Sequence, residues 1–195
     1  MGERIEFQPL TMTDRITVIL YRIGIAMSML IIIAMTIASF YYRGYTPRLN
    51  LLLLLLYIAT GLSVFFMHLY MSKLHRLLKR LYYLSILCLL VLLYLGKGDA
   101  AGIVLSRTYG PLLLLPLAGC LGFVTAKEAF CFGLLEGYLI AIIMPLYLLV
   151  LSAGGVSIEW IRYSLLFLTT IYTLFTFRKV FMPIHYDIGD KSAYR

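Results

Sequence analysis

Six apolar stretches divide this chain, separated by short polar joints, and their lengths match the hydrocarbon thickness of a bilayer rather than the faces of soluble helices. The first runs from Arg22 to Tyr42 behind an amphipathic lead-in, with Thr13 as its N-cap and Asp14 in the first turn, where the helix dipole favours an anion. The second, Asn50 to Tyr70, opens with the consecutive leucines Leu51 to Leu56. A run without helical periodicity fits a helix with apolar neighbours on every side. The third covers Leu81 to Gly96 and extends back through Leu77 and Leu78 if Lys79 and Arg80 snorkel outward. Gly110 to Ala126, with Pro111 and Pro116, makes the fourth; Leu134 to Ser152, with Pro145, the fifth; and Ser164 to Phe177 the sixth. The pattern predicts an all-α polytopic bundle in one domain: a lead-in over 1–21, six spans over 22–177 and a tail over 178–195.

Composition agrees with oil as the solvent. With 62% hydrophobic and 13% charged residues, a mean hydropathy of +0.93 leaves too little polar surface to clothe a soluble domain of 195 residues. The net charge of +8 then reads as an orientation signal. With a cytoplasmic amino terminus, that side holds Arg4, Arg15, Arg22, Lys73, Arg76, Lys79, Arg80, Lys127, Arg178, Lys179, Lys191 and Arg195. The other side holds only Arg43, Arg48, Lys97, Arg107 and Arg162, so the positive-inside rule puts both termini in the cytoplasm. Arg15 and Arg22 are read as reaching lipid headgroups. No nucleic-acid partner is expected, because the one dense basic cluster is a tight joint between spans. Tyr41, Tyr42, Tyr45, Tyr70, Tyr82, Tyr83, Trp160 and Tyr163 fall where helices leave the hydrocarbon and read as interface anchors.

Several classes are disfavoured. The polar segments are too short for extramembrane catalysis, and Met1 to Gln8 mixes acidic with basic residues, unlike a secretory leader. Glu6 stands where a myristoylation signal needs Ser or Thr. The halves do not repeat: the first three stretches lack proline, and eight of the fifteen glycines lie between Gly96 and Gly137.

The segment PLLLLPLAGCLGFVTAKEAFCFGLLE, Pro111 to Glu136, concentrates the unusual residues. On a helix, Cys120, Val124, Lys127 and Cys131 share a narrow sector, while Ala118, Gly122 and Ala126 form an adjacent small-residue packing strip that admits another helix closely. Cys120 and Cys131 would stand about 16 Å apart, too far for a disulfide. Lys127, Glu128 and Glu136 form the candidate polar cluster. They are either ordinary interfacial anchors or, if the turn re-enters the membrane, a convergent site at depth; Glu136 also suits the start of the fifth helix electrostatically. Lys127, one turn before Cys131, marks that cysteine as a candidate reactive thiol, against the default that Cys88, Cys120 and Cys131 are small packing residues. No metal site is expected from their spacing. His68, near the end of the second stretch, is a candidate haem or chlorophyll ligand, against the simpler reading of an interfacial histidine bonded to backbone. His75 lies in the basic joint. The tail residues His185, Asp187 and Asp190 carry possible metal ligands, but a hydrated tail explains them equally.

Two motifs, Lys127-Glu128-Ala129-Phe130-Cys131-Phe132 and Met182-Pro183-Ile184-His185-Tyr186-Asp187-Ile188-Gly189-Asp190-Lys191-Ser192, resemble an uncharacterised bacterial integral-membrane family, common in cyanobacteria and known only as a domain of unknown function. The resemblance implies a compact multispan protein of the bacterial inner or thylakoid membrane, running from the first span to the tail, and brings no activity or cofactor. Three roles compete. The first is an accessory, assembly or stabilising subunit of a larger membrane complex, whose partners are lipid and other membrane proteins. The second is a small transporter or channel using Lys127, Glu128 and Glu136. The third is a redox or cofactor-binding protein using His68 or Cys131.

Overall fold

A computed structural model describes residues 11–41, 47–69 and 71–187. Among them are eight helices and no strand: α1 (Met12–Tyr41), α2 (Pro47–Phe66), α3 (Ser72–Leu95), α4 (Ala100–Ser106), α5 (Tyr109–Leu113), α6 (Leu115–Phe132), α7 (Leu135–Ala153) and α8 (Ile158–Val180), followed by a 3-10 turn, Ile184–Asp187. The tail from Ile188 onward, with Asp190, lies outside the described residues, as do Tyr42, Tyr45 and Tyr70.

Five of these helices, α1, α2 from Arg48, α3, α6 and α7, are long and apolar enough to cross a membrane. Their outward faces carry large apolar side chains such as Leu51, Ile58, Leu87, Ile142 and Leu146, each more than half exposed. Such a surface is compatible with lipid and not with water. The sixth predicted stretch does form a helix, α8, of 23 residues. Its threonines and tyrosines dilute the hydropathy that the other five possess. The hydroxyls of Thr169, Thr170, Thr173 and Thr176 each donate to the carbonyl four residues back at 2.7–2.9 Å, so these polar groups are satisfied within the helix.

Three boundaries differ from the sequence reading. α1 starts at Met12, and its cap is Thr11 rather than Thr13: the Thr11 hydroxyl accepts from the Asp14 amide at 3.2 Å while the Asp14 carboxylate accepts from the Thr11 amide at 3.0 Å. This reciprocal pair satisfies two donors where a cap at Thr13 would satisfy one. α3 reaches back to Ser72, with Lys79 lying 5.7 Å from the Phe65 ring centroid. The fourth stretch breaks at Leu114 into α5 and α6, because Pro116 has no amide to give the turn before it. α4 and α5 are thereby left as short helices beside the bundle.

The small-residue strip is used inside the chain. Ala118 and Gly122 are buried, Ala126 is half-buried, and a side chain at Gly122 would begin 3.2 Å from the Ala141 Cα of α7. α6 and α7 form a tight antiparallel hairpin, turned at Gly133 in the left-handed conformation (φ 65°) that glycine adopts without strain. Gly122→Leu should therefore force the two helices apart and cost about 1–3 kcal/mol, read as a lowered unfolding midpoint in detergent. Ile142→Leu on the exposed face should leave the midpoint unchanged.

Candidate functional site

One end of the bundle is closed by a buried ion network. α1 supplies Tyr21 and Arg22, the last turns of α6 supply Lys127 and Glu128, α8 supplies Lys179, and the 3-10 turn supplies Asp187. The Glu128 and Lys179 side chains are 0% exposed. The Lys179 ammonium bridges Glu128 Oε2 and Asp187 Oδ1 and lies 4.0 Å from the centroid of the Phe132 ring. Glu128 Oε1 accepts from the Tyr21 hydroxyl at 2.7 Å and from Lys127 Nζ at 2.6 Å. Asp187 Oδ2 accepts from Arg22 Nε at 2.7 Å. The rest of the Arg22 fork reaches the chain beyond α8: Nη1 donates to the carbonyls of Val180 (3.0 Å) and Met182 (2.5 Å), and Nη2 to that of Pro183 (3.1 Å).

The physical logic is strict. A carboxylate removed from water must find countercharge and hydrogen bonds, and here each of the two finds both. Three cations face two carboxylates, which leaves the cluster one positive charge in excess. Arginine suits its position because a planar fork can hold a carboxylate and three carbonyls at once.

Lys127 and Glu128 thus come together, but Glu136 does not join them. It sits in the first turn of α7 and accepts from Arg178 at 2.6 Å in a half-exposed pair. Nor does Arg22 reach headgroups; it is buried, with Asp187 as its partner. Tyr21, Arg22, Lys179 and Asp187 are the members that sequence reasoning missed. The available signal was Arg22 standing well inside an apolar run, together with the conspicuous tail motif.

His68 lies in the joint between α2 and α3 rather than within a span, its Nε2 3.3 Å from the Thr17 hydroxyl. Burial, then the Lys127 charge, hold its imidazole below the ordinary 6.5, while Asp14 and Asp187 pull upward. His75 Nε2 meets the Val64 carbonyl at 3.0 Å. Cys131 is exposed, Cys120 buried and Cys88 half-buried, all as free thiols. Among the described residues no three His, Cys, Asp or Glu side chains group as a metal site.

At the other end of the same helices lies a cavity of about 800 Å³, walled mainly by aliphatic side chains, including Ile32 of α1, Leu56 of α2, Leu121 of α6, Leu148 of α7 and Leu168 of α8. Its volume falls in the ~300–1,000 Å³ range of small-molecule sites. Between cavity and network, Ile25, Ser28, Val124, Tyr172 and Phe175 are almost wholly buried. Along α1, Arg22 and Ile32 are about 15 Å apart.

Residues 62–195 match the model of a family described as Uncharacterized integral membrane protein (DUF2301). Both resemblance motifs fall in the matched region, whereas α1 and most of α2 precede it. No curated protein and no solved structure matches the chain.

Two outcomes follow from the network. Lys179→Met removes the shared cation from two buried carboxylates and should cost about 3–5 kcal/mol in detergent unfolding; Arg178→Met, which removes only a half-exposed partner, should cost about 0–1 kcal/mol. The lowered His68 value means that the unfolded chain takes up a proton before the native one does. Stability should therefore fall as pH drops below 6.5 toward that lower native value. His68→Gln should flatten this part of the curve when unfolding midpoints are compared from neutral pH down to about pH 5.

Proposed function

The chain belongs to this family of uncharacterised integral membrane proteins, and within it we propose a small carrier that takes an apolar or amphiphilic molecule from the bilayer into its cavity. The observation that carries this reading is the stacking of the apolar cavity and the buried ion network at opposite ends of α1, α6 and α8. A vestibule open at one end and sealed at the other by separable ion pairs is the arrangement an alternating-access cycle requires. Glu128 with Lys127 contributes to the seal, and Asp187 is its mobile half, since it arrives on a short segment rather than a long helix.

In this reading α1, α2, α3, α6, α7 and α8 make six crossings, and α4 and α5 rest at the outer end. α8, at 23 residues, has a length of about 35 Å, enough to span the hydrocarbon. Both termini face the cytoplasm, in keeping with the bias of Lys and Arg toward the sealed end. The motif resemblance supports a bacterial inner or thylakoid membrane as the site of action.

An accessory role in a larger complex draws less support from the geometry. The Ala118-Gly122-Ala126 strip meets α7 of the same chain, and Asp187 of the tail is held by Arg22 and Lys179. A haem or chlorophyll on His68 Nε2 would have to displace the Thr17 hydroxyl.

The test uses reconstituted vesicles and a nitrobenzoxadiazole-labelled lysophospholipid, with dithionite reporting transfer between leaflets. Native protein should accelerate transfer over empty vesicles, and Leu148→Phe, which fills the cavity, should slow it. Rates equal to those of empty vesicles, or a Leu148→Phe rate equal to the native one, would sink the carrier reading.

A further inference from the structure

The cavity has a polar annex. A second pocket of about 160 Å³ shares Val104, Leu105, Ser106, Leu151, Val156 and Ile161 with the large one. It is completed by Arg107 and Thr108 from the α4–α5 joint and by Gly154 and Gly155 from the α7–α8 joint. One compartment is therefore large and mainly aliphatic, and the other is small, with Ser106, Arg107, Thr108 and two glycines set beside aliphatic residues.

Charge distinguishes the possible occupants. Arg162 lines the large compartment and spends Nε on the Ser39 carbonyl at 2.7 Å, with its guanidinium 5.9 Å from the Phe40 ring centroid. Among the described residues, neither of its terminal nitrogens and no nitrogen of the Arg107 side chain has a hydrogen bond or ion pair. Lys97 adds a third cation to the wall. Two acids share this end: Asp99 also lines the large compartment and caps α4 by accepting from the Gly102 amide at 2.5 Å, and Glu159 stands one turn before Arg162 without an ion pair to it, so three cations face two carboxylates. An excess of cations at the mouth of an apolar chamber favours an occupant with an oily body and an anionic head.

We infer that the two adjoining pockets hold one anionic lipid, its acyl chain in the large chamber and its phosphate in the annex against Arg107, with Arg162 on the wall of the large chamber. The hydroxyls of Ser106 and Thr108 line the annex within which that phosphate would sit. This assignment rests on the carrier reading and narrows it to a substrate class.

The chain contains one tryptophan, Trp160, stacked on Tyr147 of the chamber wall with ring centroids 6.0 Å apart. It is a built-in reporter. The full-length protein would be placed in phosphatidylcholine bilayers doped at equal mole fraction with brominated phosphatidylglycerol or brominated phosphatidylcholine. The anionic lipid should quench Trp160 through a saturable component, with roughly five-fold stronger apparent association per arginine. Arg107→Gln with Arg162→Gln should collapse that preference, while Lys73→Gln with Arg76→Gln, at the opposite end, should leave it intact. Equal saturable quenching by both lipids in the native chain would overturn the anionic head while sparing an apolar ligand. Quenching without any saturable component would remove the lipid from the chamber and the carrier reading with it. Loss of the preference in excess inorganic phosphate would reassign the annex to a soluble anion and overturn the lipid assignment.

Discussion

An ammonium group with no access to water governs this molecule. Lys179 can remain charged inside the bundle only because Glu128 and Asp187 both face it, and those carboxylates can remain ionised only because Lys127, Tyr21 and Arg22 supply the remaining charge and hydrogen bonds. Each member makes the burial of the next tolerable. The same set joins α1, the last turns of α6, α8 and the segment beyond it. Aliphatic packing holds the bundle together, but it is indifferent to small slides and rotations between helices. The ion network is not indifferent, because its donors and acceptors meet in only one register.

That asymmetry separates the two ends of the fold. Toward Ile32, Leu56 and Leu168 the helices are held mainly by dispersion contacts around open space, with two uncharged-acceptor links between α1 and α8, Thr36 to Thr169 at 2.6 Å and Arg162 Nε to the Ser39 carbonyl at 2.7 Å. Toward Arg22 and Lys179 they are pinned by directional bonds. A bundle that is loose at one end and fastened at the other can change shape cheaply only where it is loose. A larger rearrangement must first separate the fastened groups, and the least anchored of them is Asp187, on a four-residue turn.

Most of the architecture was legible because bilayer thickness imposes a length on every crossing, and lipid tolerates no polar interruption. Five stretches stand out for that reason. α8 is less plain, since its threonine hydroxyls raise apparent polarity while being satisfied by their own helix. The break at Leu114 follows from Pro116, a residue visible in the sequence whose effect depends on its place relative to the helix start. The site was half legible. Lys127 and Glu128 are adjacent and sit in an apolar setting, so the chain itself marks them. Glu136 was grouped with them by proximity in sequence, yet it starts a new helix whose first turn faces Arg178. Arg22, Lys179 and Asp187 look like interfacial or hydrated charges until folding brings α1, the end of α8 and the following turn together. Hydropathy records the neighbours along the chain and cannot record partners 165 residues apart.

The long separation of Arg22 from Asp187 sets an order of events at birth. Arg22 leaves the ribosome 165 residues ahead of Asp187, so α1 enters the membrane carrying a cation whose counter-ion has not yet been translated. Until synthesis reaches residue 187, that guanidinium has to stay in contact with water or phospholipid phosphate, which keeps α1 riding high toward its amino-terminal end. Final seating of α1 therefore waits until the segment that follows α8 is delivered to it.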